Sequence, residues 1–178
     1  NQHMLVLGIE SSCDETGIAL FSDKVGLIDH KVNSQIDLFK EYGGVIPEIA
    51  ARDHSNKIVK ILNKVLKEND VTIDQIDLIA YTAGPGLIGS LMVGETVAKT
   101  ISKVKNIEII PIHHLEGHIL APGIENRSLK PPYLCLLVSG GHTQIIDCDD
   151  YGQYSILGET IDDAVSYTHL TLPTKSSG

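Results

Sequence analysis

Near each end of the chain an apolar strand runs into a short polar turn and out again into a second apolar strand, and this recurrence limits the fold more than any other feature. Residues 5–9 and 17–21 form the first such pair, joined by Glu10, Ser11, Ser12, Cys13, Asp14, Glu15 and Thr16. Residues 133–138 and 143–147 form the second, joined by Ser139, Gly140, Gly141 and His142. Each unit reads as a β-hairpin. A strand, turn, strand unit that returns late in a chain is what a duplicated fold with a nucleotide between its lobes would show.

The elements between the two units follow from periodicity. A third strand is predicted over residues 27–32. Ile58, Ile61, Leu62, Val65 and Leu66 then repeat at i, i+3, i+4, i+7 and i+8, one buried helical stripe, with Pro47 suited to the first turn and Asn69 to the end. A short strand at 78–81 closes on Ala83, Gly84, Pro85 and Gly86, and helical spacing resumes over 87–104. A strand at 107–112 leads into a short helix at 114–120, broken at Pro122. Three strands followed by helix, strand, helix, strand, helix predict an α/β fold with a ribonuclease-H-like mixed sheet, an antiparallel meander joined to parallel crossovers. The expected organisation is a first lobe over 4–130 and the start of a second over 131–166, with 1–3 and 167–178 read as non-native residues.

With 178 residues and 42% hydrophobic content, the chain suffices for one ordinary core or two small ones. No run approaches the roughly 18 apolar residues of a membrane helix, so no membrane contact is expected and the cytoplasm is the default location. A net charge of −9 argues against a broad electrostatic footprint for nucleic acid, so any RNA contact is local or supplied by a partner. Cys13, Cys135 and Cys148 lack CxxC spacing and are expected to be reduced packing residues.

Three clusters carry candidate chemistry. In the first turn, Asp14 and Glu15 stand beside Ser11, Ser12 and Thr16, where carboxylates can hold a metal or a water and backbone N–H groups can face an anion; a polar β-turn with no further role has the same composition. In the second turn, Gly140 and Gly141 permit close backbone approach to phosphate. His114 and His118, four apart on a helix, project from one face and can share a metal, or are simply two of the histidines of a histidine-rich segment. This is not the zinc-protease pattern, because Leu115 rather than a glutamate follows the first histidine. Gly86, Ser90 and Gly94 make a small-residue face on the second helix, serving either close packing within the domain or a subunit interface.

Taken together, five blocks resemble one family. They are residues 7–17 (LGIESSCDETG), 43–50 (GGVIPEIA), 82–87 (TAGPGL), 114–118 (HLEGH) and 137–144 (LVSGGHTQ), and they occur in this order in the TsaD family of tRNA N6-adenosine threonylcarbamoyltransferases. The resemblance implies an actin/Hsp70/sugar-kinase-like fold, of which this chain holds the first lobe and the beginning of the second. It implies transfer of a threonylcarbamoyl group from its adenylate to the adenosine beside the anticodon of ANN-decoding tRNAs. It also implies a divalent metal, iron or zinc, on His114 and His118 with a third ligand from the second lobe, and an ATP- or adenylate-type nucleotide beside Leu137, Val138, Ser139, Gly140 and Gly141. By the same carry-over Asp14 and Glu15 activate or orient the reactants. The implied partners are tRNA, a TsaB-like paralogue and a TsaE-like ATPase, with a homodimer through the first-lobe helices as an alternative. After Ser166 the sequence leaves the family pattern, so the chain by itself is expected to be inactive. The alternatives are a non-catalytic TsaB-like module, which would lack the histidine pair, and a kinase of the same superfold.

Overall fold

The computed structural model describes residues 3–138 and 143–160. Contacts divide the chain into two units, Asn1–Leu120 and Ala121–Gly178. The first unit is a five-stranded mixed sheet in the order β3-β2-β1-β4-β5. Its opening meander is β1 (Leu5–Glu10), β2 (Glu15–Ser22) and β3 (Gly26–Ser34). A short helix α1 (Ile36–Phe39) and the long α2 (Pro47–Glu68) lead to β4 (Leu78–Gly84), then α3 (Ile88–Lys105), β5 (Glu108–His113) and α4 (His114–Leu120). β1 pairs antiparallel with β2, Leu7 opposite Leu20, and parallel with β4, Leu7 opposite Ile79. The predicted hairpin and crossovers are therefore present.

One core joins sheet to helices. Leu7, Ile9, Ile18, Leu20, Ile79 and Tyr81 of the strands pack with Ile58, Leu62, Val65 and Leu66 of α2 and with Ala98 of α3. The α2 stripe is the one expected from periodicity, and Pro47 occupies the first turn, where its missing N–H leaves no helical bond unmade. At the other end the Asn69 side chain donates to the Val65 carbonyl at 2.8 Å, and Asp70 turns left-handed at φ 53°. α3 stops at Asn106, also left-handed at φ 55°, a conformation asparagine tolerates better than most residues.

The second unit contains α5 (Pro122–Glu125) and a three-stranded antiparallel meander in the order β6-β7-β8, made of Tyr133–Val138, Thr143–Asp150 and Gln153–Glu159. Periodicity missed α1, α5 and β8. β8 alternates polar and apolar residues weakly and leaves Ile156 and Leu157 exposed, so it carries little of the burial signal that marks a strand. β2 also begins two residues earlier than expected, at Glu15, so that carboxylate stands on a strand and the turn proper is Ser11 to Asp14.

Candidate active site

The parallel strands β1, β4 and β5 end side by side, and in open α/β sheets the carboxyl ends of strands are where ligands bind. Glu10 is the last residue of β1, Thr82 stands near the end of β4, and β5 runs directly into α4 so that His114 follows its last residue. The Glu10 carboxylate accepts hydrogen bonds from the Thr82 hydroxyl and from the Ser12 amide, the latter at 2.5 Å. It also lies 3.4 Å from Nδ1 of His114, and the Ser12 hydroxyl lies 3.1 Å from the same nitrogen. Burial pushes the Glu10 carboxyl up, but the hydrogen bonds from Ser12 and Thr82 and the nearby His114 outweigh it and hold the group below the usual carboxylate range.

An ionised carboxylate only accepts, so the His114 nitrogen facing it carries the hydrogen, and it is the neutral form of the ring that then offers the Nε2 lone pair to a metal. That Nε2 lies 3.1 Å from Nε2 of His118 one turn later on α4, the two rings standing edge to face with centroids 4.6 Å apart. For metal–nitrogen bonds of about 2.0–2.1 Å, a 3.1 Å separation of donors corresponds to an angle at the metal of about 100°, between the octahedral and tetrahedral values. The donor set therefore suits a borderline transition ion such as zinc or iron(II). Among the described residues no group of three His, Cys, Asp or Glu side chains assembles, so the pair stands at two ligands.

His114 and His118 share a cavity of about 410 Å³ with Glu10, Cys13, Asp14 and Glu15. The two predicted carboxylates and the two predicted metal ligands are thus brought to one place. Cys13 departs from expectation: it is exposed in this cavity rather than packed, because the turn puts its side chain outward between the buried Ser12 and half-buried Asp14. Burial of part of the thiol and the charge of Asp14 raise its pKa, so it is not a ready thiolate. Cys148 is buried and Cys135 half-buried, as packing thiols.

The turn is held from below by α3. The Ser11 hydroxyl donates to the Ser90 carbonyl at 2.8 Å and accepts from the Gly94 amide at 3.1 Å, while the Leu87 amide donates to the Ser12 carbonyl at 2.7 Å. A Cβ at Gly86 would stand 2.8 Å from that of Ser12, and one at Gly94 would overlap the Ser11 hydroxyl. The small-residue face is used up inside the domain, where it lets α3 approach the turn. Gly89 sits on the seam with α2, its would-be Cβ 3.2 Å from that of Ala51.

Leu137 and Val138 end β6 in the second unit, half-buried and exposed respectively, paired with Gln144 and Thr143. Ser139, Gly140 and Gly141 lie outside the described residues. Sequence reasoning passed over Glu10 and Thr82. The available signal was a carboxylate closing an otherwise apolar strand at the sheet's carboxyl edge.

The family described as TsaD, tRNA N6-adenosine threonylcarbamoyltransferase, matches residues 26–174. The chain belongs to the TsaD family. The matched span of this TsaD chain holds both histidines together with Leu137 and Val138, whereas Asp14 and Glu15 precede it. Among solved structures, YeaZ from Pseudomonas aeruginosa is similar at 12% identity and a TM-score of 0.59, covering 98% of this chain and 72% of its own. An uncharacterised Pseudomonas aeruginosa protein with similarity to peptidase YeaZ is similar at 16% identity and a TM-score of 0.57, covering 87% of this chain and 64% of its own. These likenesses show that the TsaD chain shares the α/β fold of those two proteins. No described helix is long and apolar enough to cross a membrane.

Proposed function

We propose that this chain carries the metal-binding half of a threonylcarbamoyl-transfer site. In that reaction a threonylcarbamoyl group leaves its adenylate for the N6 amine of the adenosine beside the anticodon of ANN-decoding tRNAs. The observation that carries the reading is the pair of imidazole Nε2 atoms 3.1 Å apart on the rim of a carboxylate-lined cavity. His114 and His118 would hold an iron or zinc ion, which when bound supplies a positive charge that stabilises the carbonyl or phosphate oxygens of the donor. Glu10 and Ser12 keep the His114 ring in the tautomer that leaves Nε2 free. Asp14 and Glu15 face the same space, where a carboxylate can orient the attacking amine and take its proton. Leu137 and Val138, with Ser139, Gly140 and Gly141, are proposed for the adenylate.

The described donor set stops at two, short of the four a zinc or iron ion ordinarily takes, so a further ligand from elsewhere is part of the proposal, as is inactivity of the chain on its own. Partners are proposed on the same footing: tRNA, a TsaB-like paralogue and a TsaE-like ATPase in the cytoplasm, or a second copy through the first-lobe helices. Ile88 and Met92, one turn apart on α3 and 78% and 58% exposed, offer an apolar start for such a contact. The test is transfer of radiolabelled threonylcarbamoyl from its adenylate to tRNA. The chain alone is expected to transfer nothing, and activity is expected only where the second lobe supplies the remaining metal ligand. Transfer that survives His114→Ala together with His118→Ala in the completed assembly defeats the reading.

A further inference from the structure

His54 is fully buried in α2, on the same face as Ala50 and Ile58, and no part of the reaction described above uses it. A buried imidazole needs partners for both ring nitrogens, since an unpaired polar group there is strongly unfavourable. Its two partners belong to a single segment. Nε2 lies 2.9 Å from the Cys13 carbonyl oxygen, and Nδ1 lies 2.6 Å from the Thr16 hydroxyl, itself fully buried. A carbonyl only accepts, so Nε2 carries the hydrogen, and a neutral ring accepts at Nδ1 from the threonine. One turn earlier on the helix a second strut repeats the pattern. The Gln35 amide donates to the Asp14 carbonyl at 2.9 Å while its side chain donates to the Ala50 carbonyl at 3.2 Å.

We infer that His54 is a positioning residue that clamps the turn at Cys13 and Thr16 and thereby aims the two residues between them, Asp14 and Glu15, into the cavity. A leucine at this place would continue the apolar stripe but leave the part-buried Cys13 carbonyl without its donor, and a carbonyl that loses its donor seeks another partner by moving the chain. The inference rests on the proposed working role of Asp14 and Glu15 only for its consequence; the clamp itself is geometric.

The experiment uses the full chain labelled with nitrogen-15. The His54 Nε2 is expected to carry a hydrogen held by the Cys13 carbonyl. His54→Asn, whose short side chain cannot reach the Cys13 carbonyl, is expected to shift the Asp14 and Glu15 amide resonances and to speed exchange of amides in the turn up to about tenfold, the effect of one lost part-buried hydrogen bond. His54→Gln, whose amide can donate from near the place of Nε2, is expected to restore most of both. Equal effects of the two variants, or faster exchange spread evenly over α2 and the sheet, overturn the clamp. If His54→Asn does not fold, Thr16→Val removes only the hydroxyl partner, and an unmoved turn in that variant overturns it equally. Transfer in the completed assembly separates the two readings. A displaced turn with unchanged transfer keeps the clamp and removes Asp14 and Glu15 from the chemistry, whereas an unmoved turn with transfer lost on Asp14→Asn does the reverse.

Discussion

Gly94→Ala isolates the close approach of α3 to the turn that bears the carboxylates. In an ordinary helix interior this change is favourable by about 1 kcal/mol, because alanine is the better helix former. Here the added Cβ would overlap the Ser11 hydroxyl and lie 3.4 Å from a methyl of Ile9. Ser11 cannot yield freely, because its hydroxyl bridges the Gly94 amide and the Ser90 carbonyl in a buried place. Overpacking costs about 1–3 kcal/mol and a buried polar group stripped of its bond about another 1–3 kcal/mol. Net of the helical gain, the variant is expected to lose on the order of 2 kcal/mol, which for a urea slope near 2 kcal/mol/M lowers the midpoint by about 1 M. Urea denaturation followed by amide signals of the five-stranded sheet measures this. Gly117→Ala on α4, where a Cβ meets nothing within 4 Å, is the control and is expected to be neutral or slightly stabilising. A Gly94→Ala protein as stable as the control would show that the turn is not braced by α3.

Glu10→Gln keeps the shape but removes the charge behind His114, and is expected to weaken zinc binding by about 10- to 100-fold in calorimetry, with little change in fold. The Asp29 carboxyl is held below its ordinary range by the Asn69 side chain and then by Lys31, against burial, so its contribution to stability is present above the ordinary carboxylate pKa and is lost as pH falls through the depressed value. Asn69→Ala is therefore expected to move the acid unfolding transition, followed by circular dichroism, to higher pH. Ile88→Asp on the exposed face of α3 is expected to lower any self-association seen by light scattering. Gly89→Leu, which meets Ala51 across the α2 seam, is expected to destabilise the fold by about 1–3 kcal/mol whatever the association state.

Where burial imposes a period, the letters reveal the element. The stripe from Ile58 to Leu66 and the strands at Leu7, Ile18 and Ile79 were legible for this reason, as was the order that makes the mixed sheet. α1 was not, since of its four residues only Phe39 is buried, and β8 was not, since its apolar residues face outward. At the site, the i, i+4 spacing of His114 and His118 was enough to bring their nitrogens together. The role of Glu10 needed the third dimension, because its partners Thr82 and His114 come from β4 and from the start of α4, and only sheet order makes them neighbours. The small residues Gly86, Ser90 and Gly94 had two readings in sequence, and the overlap that a Cβ at Gly94 on α3, or at Gly86 just before it, would make with the turn decides for packing. Cys13 was misjudged for a related reason, since a thiol's burial depends on which way a turn faces, and composition does not encode that.

Titration of the labelled chain with cobalt(II), followed through the imidazole nitrogens, addresses the metal pair most directly. The His114 and His118 resonances are expected to broaden together at the lowest metal concentrations, before those of the other histidines, and His118→Ala is expected to abolish the response of His114. Independent responses of the two rings, or earlier binding at another histidine, would contradict a shared site.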